Sequence, residues 1–235
     1  MSVMAHVCRS GLEFLAAGVL VAAVSAAGGC SGGADFGESI AVPQTRHTAV
    51  DDILGEGRAL HLPADVPLNV ADAQRYAQGD AAVESSAAAA GRARCTASAQ
   101  AGGKAWAEFQ LGHVLTCRGD RPLEATVTFT VTYGYRTVSQ ASAAAATPDR
   151  FALKVYIQDS NRRLLKRMML AELEPAKGPT AWTGTQSPAF DVTFAPGLAY
   201  HLVLAGRVAV SGGEDRAASA EIEVQSLDIE IMPKS

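Results

Sequence analysis

The sequence predicts an all-β fold, an antiparallel β-sandwich that follows an export signal and a polar tether. Apolar and polar residues alternate with period two along most of the chain from residue 92 onward, which is the pattern of half-buried strands. Turn signals that contain Gly, Pro, Asn or Asp separate roughly eight such segments. Strands do not alternate with helices along the chain, so a parallel sheet is not expected.

The N-terminus has the pattern of a secretory signal. One basic residue, Arg9, precedes a stretch at 14–27 that is apolar or small, and this stretch is too short for a confident membrane span, which needs about 20 strongly apolar residues. It ends on Ala27-Gly28-Gly29-Cys30, which resembles the lipobox of bacterial lipoproteins. The resemblance implies that Cys30 is lipidated and becomes the mature N-terminus. The alternative is ordinary signal cleavage after Val24-Ser25-Ala26, which would release a soluble protein.

The apolar stretch and this cysteine divide the chain into four predicted segments. These are a lipoprotein signal peptide (1–29), a flexible tether (30–50), an irregular segment with a short helix (51–91) and the β-sandwich domain (92–235). Ser and Gly directly after Cys30 give a flexible linker, and several acyl chains on one cysteine give lasting membrane attachment. The resemblance therefore implies an exported protein that is anchored by lipid at the cell envelope, on the outer membrane or at the cell surface.

Two cysteines remain once the signal and the anchor are set aside. Cys95 and Cys117 both fall on apolar faces of predicted strands. An even pair of cysteines in an exported domain predicts one disulfide, and the alternative is two buried thiols. The hairpin expected at Gly102-Gly103 does not place the two opposite each other, so a disulfide would join different sheets or span a strand end. A zinc site is not favoured, because the spacing lacks the CxxC pattern.

Local patterns assign the other elements. Residues 67–80 are compatible with a short helix that Asn69 caps and Gly79 ends, and residues 84–91 are interpreted as helix or linker. The strongest strand signal is "LEATVTFTVTYGYRTV" at 123–138, in which apolar residues alternate with Glu and Thr.

Two features are expected in the second half of the chain. Residues 174–188 are rich in Pro, Gly and Thr and are predicted to form a loop. Within 218–231 the apolar residues switch from even to odd positions, which predicts a β-bulge near Gln225-Ser226.

A corner motif refines the fold class. The segment Phe194-x-Pro196-Gly197-x-x-Tyr200 resembles the tyrosine corner of fibronectin type III and related immunoglobulin-like sandwiches. The resemblance implies a Greek-key sandwich in which Tyr200 hydrogen-bonds back to the corner, and it implies nothing about function. The β-sandwich is therefore expected to be immunoglobulin-like or jelly-roll, between which the sequence does not choose.

No catalytic or cofactor-binding motif is found in the sequence. It lacks a nucleophile elbow, a zinc-protease motif, a phosphate loop and a calcium loop. His113, on an apolar strand face, is interpreted as a hydrogen-bonded core residue and not as a metal ligand. The formal net charge of −4, with 19% charged residues, gives no strong field for nucleic acid. We expect a protein that is not an enzyme and that uses no metal, cofactor or nucleic acid.

Two tryptophans and one basic cluster are the candidate contact residues. Trp106 falls on the polar face of a predicted strand beside Glu108, and Trp182 lies in the predicted loop. An exposed Trp among polar side chains can stack on a sugar ring; the alternative is that residues 51–90 or the sandwich edges bury both rings. The cluster "NRRLLKR" (161–167) is interpreted as a solvated strand edge, with anionic lipid as the alternative partner.

These features favour a non-enzymatic binding protein of the cell envelope. The leading hypothesis is a lipid-anchored envelope protein whose β-sandwich serves as an adhesion, scaffold or partner-binding module. Its partner would be an envelope protein or a glycan, and the N-terminal lipid would hold it at the membrane. The alternative hypothesis is a carbohydrate-binding or glycan-modifying jelly-roll domain.

Overall fold

The strands form two sheets that pack face to face. The computed structural model describes residues 48–50, 54–138, 150–173, 180–213 and 217–234. The predicted signal peptide (1–29), Cys30 and most of the predicted tether lie outside the described residues. The strands of the described part are β1 (Thr48–Ala49), β2 (Leu60–Leu62), β3 (Val70–Gln78), β4 (Ala81–Ala88), β5 (Arg92–Ala99), β6 (Lys104–Thr116), β7 (Leu123–Val138), β8 (Arg150–Asp159), β9 (Leu164–Leu173), β10 (Thr180–Gln186), β11 (Ala189–Phe194), β12 (Ala199–Ser211) and β13 (Ala218–Pro233).

The strand order is that of a jelly roll. Sheet A has the order β1-β6-β12-β8-β9, with β3 also paired to β6, and sheet B has the order β10-β7-β13-β5-β4, with β11 also on β7 and β2 on β13. When β5 to β13 are counted as eight successive strands, with β10 and β11 as one interrupted strand, the sheets read 1-8-3-6 and 2-7-4-5. This double Greek key confirms the β-sandwich prediction and selects the jelly-roll alternative.

Alternation along each central strand builds the core between the sheets. In β7 the odd positions from Ala125 to Tyr133 are almost completely buried, while the threonines between them are half-buried on the outer face. The strand has the same bounds as the predicted segment 123–138. One face of β7 packs against sheet A and the other meets solvent, which is why the alternation is regular.

A polar bridge joins the two sheets at one side of the sandwich. In the edge strand β9, Leu170 is the extra residue of a bulge, because Leu153 pairs with Ala171 and Lys154 with Met169. Its carbonyl accepts hydrogen bonds from the Tyr133 hydroxyl, at 2.9 Å, and from Gln186 Nε2, at 3.1 Å. Because β7 and β10 belong to sheet B, these bonds tie the edge of sheet A to sheet B.

The bulge predicted in the last strand is confirmed. Val224 pairs with Tyr133 and Ser226 pairs with Thr132, so Gln225 is the extra residue of β13. The extra residue returns the apolar side chains beyond it to the core face. The parity switch in the sequence therefore reports a real change of register.

Three local predictions are wrong. The segment expected as a short helix at 67–80 contains strand β3, the segment 84–91 lies mostly in strand β4, and the loop predicted at 174–188 contains strand β10. The sandwich also begins before the predicted boundary at residue 92, since β1 to β4 already pair with its sheets. In β3 most side chains are exposed or half-buried on both faces, so an edge strand of this kind leaves no apolar alternation in the sequence.

The predicted disulfide is also wrong: Cys95 and Cys117 are both buried thiols. Cys95 lies in sheet B and touches Val208 of β12, which pairs with Ala107 of β6. Cys117 follows the far end of β6, ten residues beyond Ala107, a distance of about 33 Å along a strand. Bridged cysteines need Cα atoms within about 7 Å, so their positions near opposite ends of β6 keep the two sulfurs apart.

Candidate binding surface

The outer face of sheet A carries two aromatic rings side by side. Strand β3 pairs with β6 so that Tyr76 lies opposite Trp106, and Ala209 of β12 lies on the other side of Trp106. The neighbours of Trp106 in the chain, Ala105 and Ala107, are buried in the core. Alternation along β6 therefore turns the Trp106 side chain away from the core and toward the outer face.

The geometry of these side chains makes an aromatic platform, defined as Tyr76, Trp106 and Arg207. The Tyr76 and Trp106 ring centroids are 6.3 Å apart with an angle of 18° between the ring planes. The Arg207 guanidinium carbon lies 5.4 Å from the centroid of the Trp106 ring, within cation–π range. Tyr76 is 46% exposed and Trp106 is half-buried, so Tyr76 is the ring that a ligand would reach first.

Planar polar side chains surround the platform along β3. The Tyr76 hydroxyl donates a hydrogen bond to Gln78 Oε1 at 3.1 Å, and Gln74 Nε2 donates to Asp72 Oδ2 at 3.4 Å. Asp72, Gln74, Tyr76 and Gln78 occupy alternate positions of one strand and therefore share its outer face. Amide and carboxylate groups in this arrangement offer both donors and acceptors beside an exposed ring.

Glu108 is the most perturbed carboxyl group of this surface. Its side chain is 16% exposed, and a carboxylate oxygen lies 4.0 Å from the guanidinium of Arg207. Burial raises the pKa of Glu108 above its ordinary value, Arg207 opposes that rise, and the charge of Asp72 adds to it. The carboxyl group is therefore held beside the platform in surroundings that disfavour its charged form.

The platform has a defined limit on the sheet. Further along the outer face, toward β8, Gln110, Lys154 and Tyr156 are buried, as are Val203 and Ala205. The Lys154 ammonium lies 5.5 Å from the centroid of the Tyr156 ring. The platform therefore ends before β8 and lies at the β3 side of the sheet, around Tyr76.

The two predicted tryptophans do not share a surface. Trp182 lies in β10 of sheet B, packs against the core, and contacts Tyr133 and Tyr135 with ring centroids at 4.7 and 6.1 Å. It is therefore not part of the platform, and its role as a ligand contact stays a prediction. Residues from the segment 51–90 do cover part of Trp106, because Tyr76 comes from that segment, as the alternative interpretation anticipated.

Tyr76 is the residue of the platform that the sequence analysis missed. It falls within the region expected to form a short helix, in which a single tyrosine does not indicate a binding surface. The signal that was available is the row Asp72, Gln74, Tyr76 and Gln78, because polar and aromatic residues at every second position indicate one face of a strand.

His113 has the structural role that was predicted. It is 1% exposed, and its Nε2 lies 2.7 Å from the hydroxyl of Thr48. Asn69 lies beside it and hydrogen-bonds Val114 through both side-chain atoms, accepting from the amide at 2.7 Å and donating to the carbonyl at 3.3 Å. This cluster fills the gap on β6 between β1 and β3.

Within the described ranges no three His, Cys, Asp or Glu residues are grouped to hold a metal ion.

A concave region lies on the outer face of sheet B. A groove of about 320 Å³ crosses β4, β5, β13 and the end of β7. It contains the ion pair of Arg94 with Glu221, at 2.7 Å, and Arg136, while Ala and Ser make up much of its wall. None of the described residues that line it is aromatic, so it offers charge but no stacking surface.

Comparison with known proteins adds little to this geometry. No family model matches the chain, and no curated protein matches it. Among solved structures, a family 11 carbohydrate-binding module from Clostridium thermocellum in complex with a β-1,3-1,4-mixed-linked tetrasaccharide is 8% identical, with a TM-score of 0.20, over 67% of this chain and 87% of the module. The Endo-D glycoside hydrolase domain from Streptococcus pneumoniae R6 is 13% identical, with a TM-score of 0.22, over 68% of this chain and 21% of that structure. Similarities at this level carry no argument about function.

The described residues include no helix with the length and apolarity that a membrane crossing requires.

Proposed function

We propose that this protein is a non-enzymatic binding module of the cell envelope, tethered by lipid on Cys30, and that glycans are its ligands. The observation that carries the ligand class is the Tyr76 ring, 46% exposed and stacked on Trp106. Trp106 contacts the Tyr76 ring, and the exposed part of that ring is available to pack against a ligand. The lipid tether rests on the lipobox-like sequence before Cys30.

The chemistry around the ring fits a sugar better than an apolar ligand. A pyranose ring has an apolar C–H face that packs on an aromatic ring, and its rim of hydroxyl groups both donates and accepts hydrogen bonds. Gln74 and Gln78 supply amide donors and acceptors, and Asp72 supplies carboxylate acceptors, on the same strand face as Tyr76. A few placed polar groups around an apolar contact are typical of small-ligand sites.

The test is binding of the full chain to an array of envelope glycans, followed by calorimetry with the best ligand. Tyr76→Ala is expected to weaken binding by about two- to tenfold, since stacking on one ring contributes about 0.5–1.5 kcal/mol beyond its buried area. Tyr76→Phe keeps the ring and is expected to retain most of the affinity. Met232→Ala removes an equally exposed apolar side chain from sheet B and is the matched control.

Two outcomes would overturn the proposal. Binding that is insensitive to Tyr76→Ala and Trp106→Ala would place the ligand elsewhere. An array without any bound glycan, obtained with protein that melts cooperatively, would remove glycans as the ligand class.

A glycan-modifying activity is the second candidate, and Glu108 is the observation that favours it. Burial raises the pKa of Glu108 and the charge of Asp72 adds to that rise; a carboxyl group with a raised pKa near a second carboxylate is the kind of pair that glycoside hydrolysis uses. Release of reducing ends from a bound glycan, lost in Glu108→Gln, would support this candidate. Binding without turnover that persists in Glu108→Gln would support the binding module.

The tether is tested separately by intact mass and cell fractionation beside Cys30→Ala. An acylated mass that disappears in the variant, together with membrane attachment, would support lipidation of Cys30. A soluble product that begins near Ala27 would overturn the tether and leave the glycan proposal intact.

A further inference from the structure

The edge strand of sheet A carries an exposed basic and apolar surface. From Arg162 to Met168 six side chains are exposed and only Leu165 is half-buried. We call this the β9 edge, and its exposed members are Arg162, Arg163, Leu164, Lys166, Arg167 and Met168. In the described part of the chain β9 pairs only with β8, so the surface lies at the side of the sandwich.

The apolar members distinguish the β9 edge from an ordinary charged edge. Leu164 is 40% exposed and Met168 is 44% exposed. They lie on either side of Lys166 and Arg167 in the same short strand. Lys and Arg protect an edge strand from pairing with another chain, but exposed Leu and Met weaken that protection. A role in edge protection therefore does not account for them.

The turn before the strand holds an arginine in an unusual backbone conformation. Arg162 has a φ of 63°, in the left-handed region where Gly or Asn is normally preferred. Asp159 Oδ1 accepts hydrogen bonds from the amides of Asn161 and Arg163, both at 2.9 Å, and Gln158 Nε2 donates to the Arg162 carbonyl at 3.0 Å. These bonds hold the turn in a conformation that costs backbone energy for a residue other than glycine.

We infer that the β9 edge docks on an anionic lipid surface. The cations pair with headgroup phosphates, while Leu164 and Met168 enter the boundary between headgroups and acyl chains. Each Lys or Arg near such a surface adds about 1 kcal/mol. The apolar side chains favour a bilayer over a soluble polyanion, which offers them no apolar phase. The inference rests in part on the proposed function, because a lipid tether on Cys30 would hold the domain beside a membrane.

Hydrogen exchange of the segment 160–170 tests the inference on the full chain. The protein is mixed with vesicles of phosphatidylcholine alone or of equal parts phosphatidylcholine and phosphatidylglycerol. We expect exchange in this segment to slow by at least roughly threefold on the anionic vesicles only, and the effect to disappear at high salt. The comparison holds whether or not Cys30 is acylated, because an anchor would act equally on both vesicles.

Charge reversal supplies the matched variants. Arg163→Glu with Lys166→Glu is expected to abolish the protection, while Arg92→Glu with Arg121→Glu changes the net charge equally at other exposed sites and is expected to preserve it. Equal exchange on the two vesicles would overturn the inference. So would protection by soluble heparin without protection by anionic vesicles, which would assign the β9 edge to a polyanion.

Discussion

The backbone amide of Ala195 donates a hydrogen bond to the hydroxyl oxygen of Tyr200 at 2.6 Å. Tyr200 stands near the start of β12 and is 2% exposed, and its ring meets Phe194 edge-on with centroids 4.9 Å apart. The bond ties the end of β11 to the start of β12 across Pro196 and Gly197. It is the contact that the resemblance to a tyrosine corner implied, here found in a jelly roll.

Removing the Tyr200 hydroxyl is expected to destabilise the fold. Tyr200→Phe leaves the Ala195 amide without this acceptor in a half-buried corner, and the free energy of unfolding should fall by about 1–2 kcal/mol. Urea denaturation measures the change. Tyr135→Phe, at a half-buried tyrosine in sheet B, is the control and should change the stability by less than about 0.5 kcal/mol. Equal effects of the two substitutions would show that the hydrogen bond between Ala195 and Tyr200 does not stabilise the fold.

The two core cysteines are expected to remain thiols that do not react in the folded protein. Burial raises the pKa of the Cys95 thiol well above its usual range, and the thiolate is the reactive form. Iodoacetamide should label neither Cys95 nor Cys117 in the native chain, and should label both in denaturant without any reductant. Ala181→Cys adds an exposed thiol that should label at once. Labelling that requires a reductant would show that Cys95 and Cys117 form a disulfide after all.

Glu108 is expected to make the stability fall as the pH rises. Its pKa is raised in the folded state from an ordinary value of 4.5, so the folded protein binds more protons than the unfolded chain above that pH. The contribution of Glu108 to the stability is therefore largest below the unfolded pKa and declines as the pH passes through the folded pKa.

The measurement compares the free energy of unfolding from pH 4 to pH 7 in the native protein and in Glu108→Gln. The variant should gain stability relative to the native protein as the pH rises. Glu223→Gln, at an exposed glutamate of sheet B, is the control. If the difference in the free energy of unfolding between the two proteins does not change across this pH range, Arg207 fully offsets the effect of burial on the pKa of Glu108.

Asn69 is expected to stabilise the fold because its side chain replaces a missing strand partner. It satisfies both the amide and the carbonyl of Val114, which lies between the pairing sites of β3 and β1 on β6. Asn69→Ala should lower the free energy of unfolding by about 1–3 kcal/mol, since the buried amide loses its acceptor. Asn161→Ala, in the exposed β8–β9 turn, should have little effect. Similar losses in both variants would contradict this role.

The sequence by itself determined the strands that bury one face. The bounds of β7 and the bulge at Gln225 could be read directly, because a buried face imposes period-two alternation and a change of register reverses it. The corner at Tyr200 was equally readable, since its residues are close together in the chain. These features depend on the spacing of neighbouring residues and on which side chains are buried. The positions of the apolar residues in the sequence indicate both.

Only the tertiary structure decided the edges, the pairing and the candidate surface. Strands β3 and β4 were missed because exposed edge strands need no apolar alternation. The predicted disulfide was wrong because Cys95 and Cys117 lie near opposite ends of β6, at distant points of the sandwich. Tyr76 and Trp106 are thirty residues apart in the chain and meet only through the pairing of β3 with β6. Such contacts arise from non-local register, which the packing of the whole sandwich sets and which no short stretch of sequence encodes.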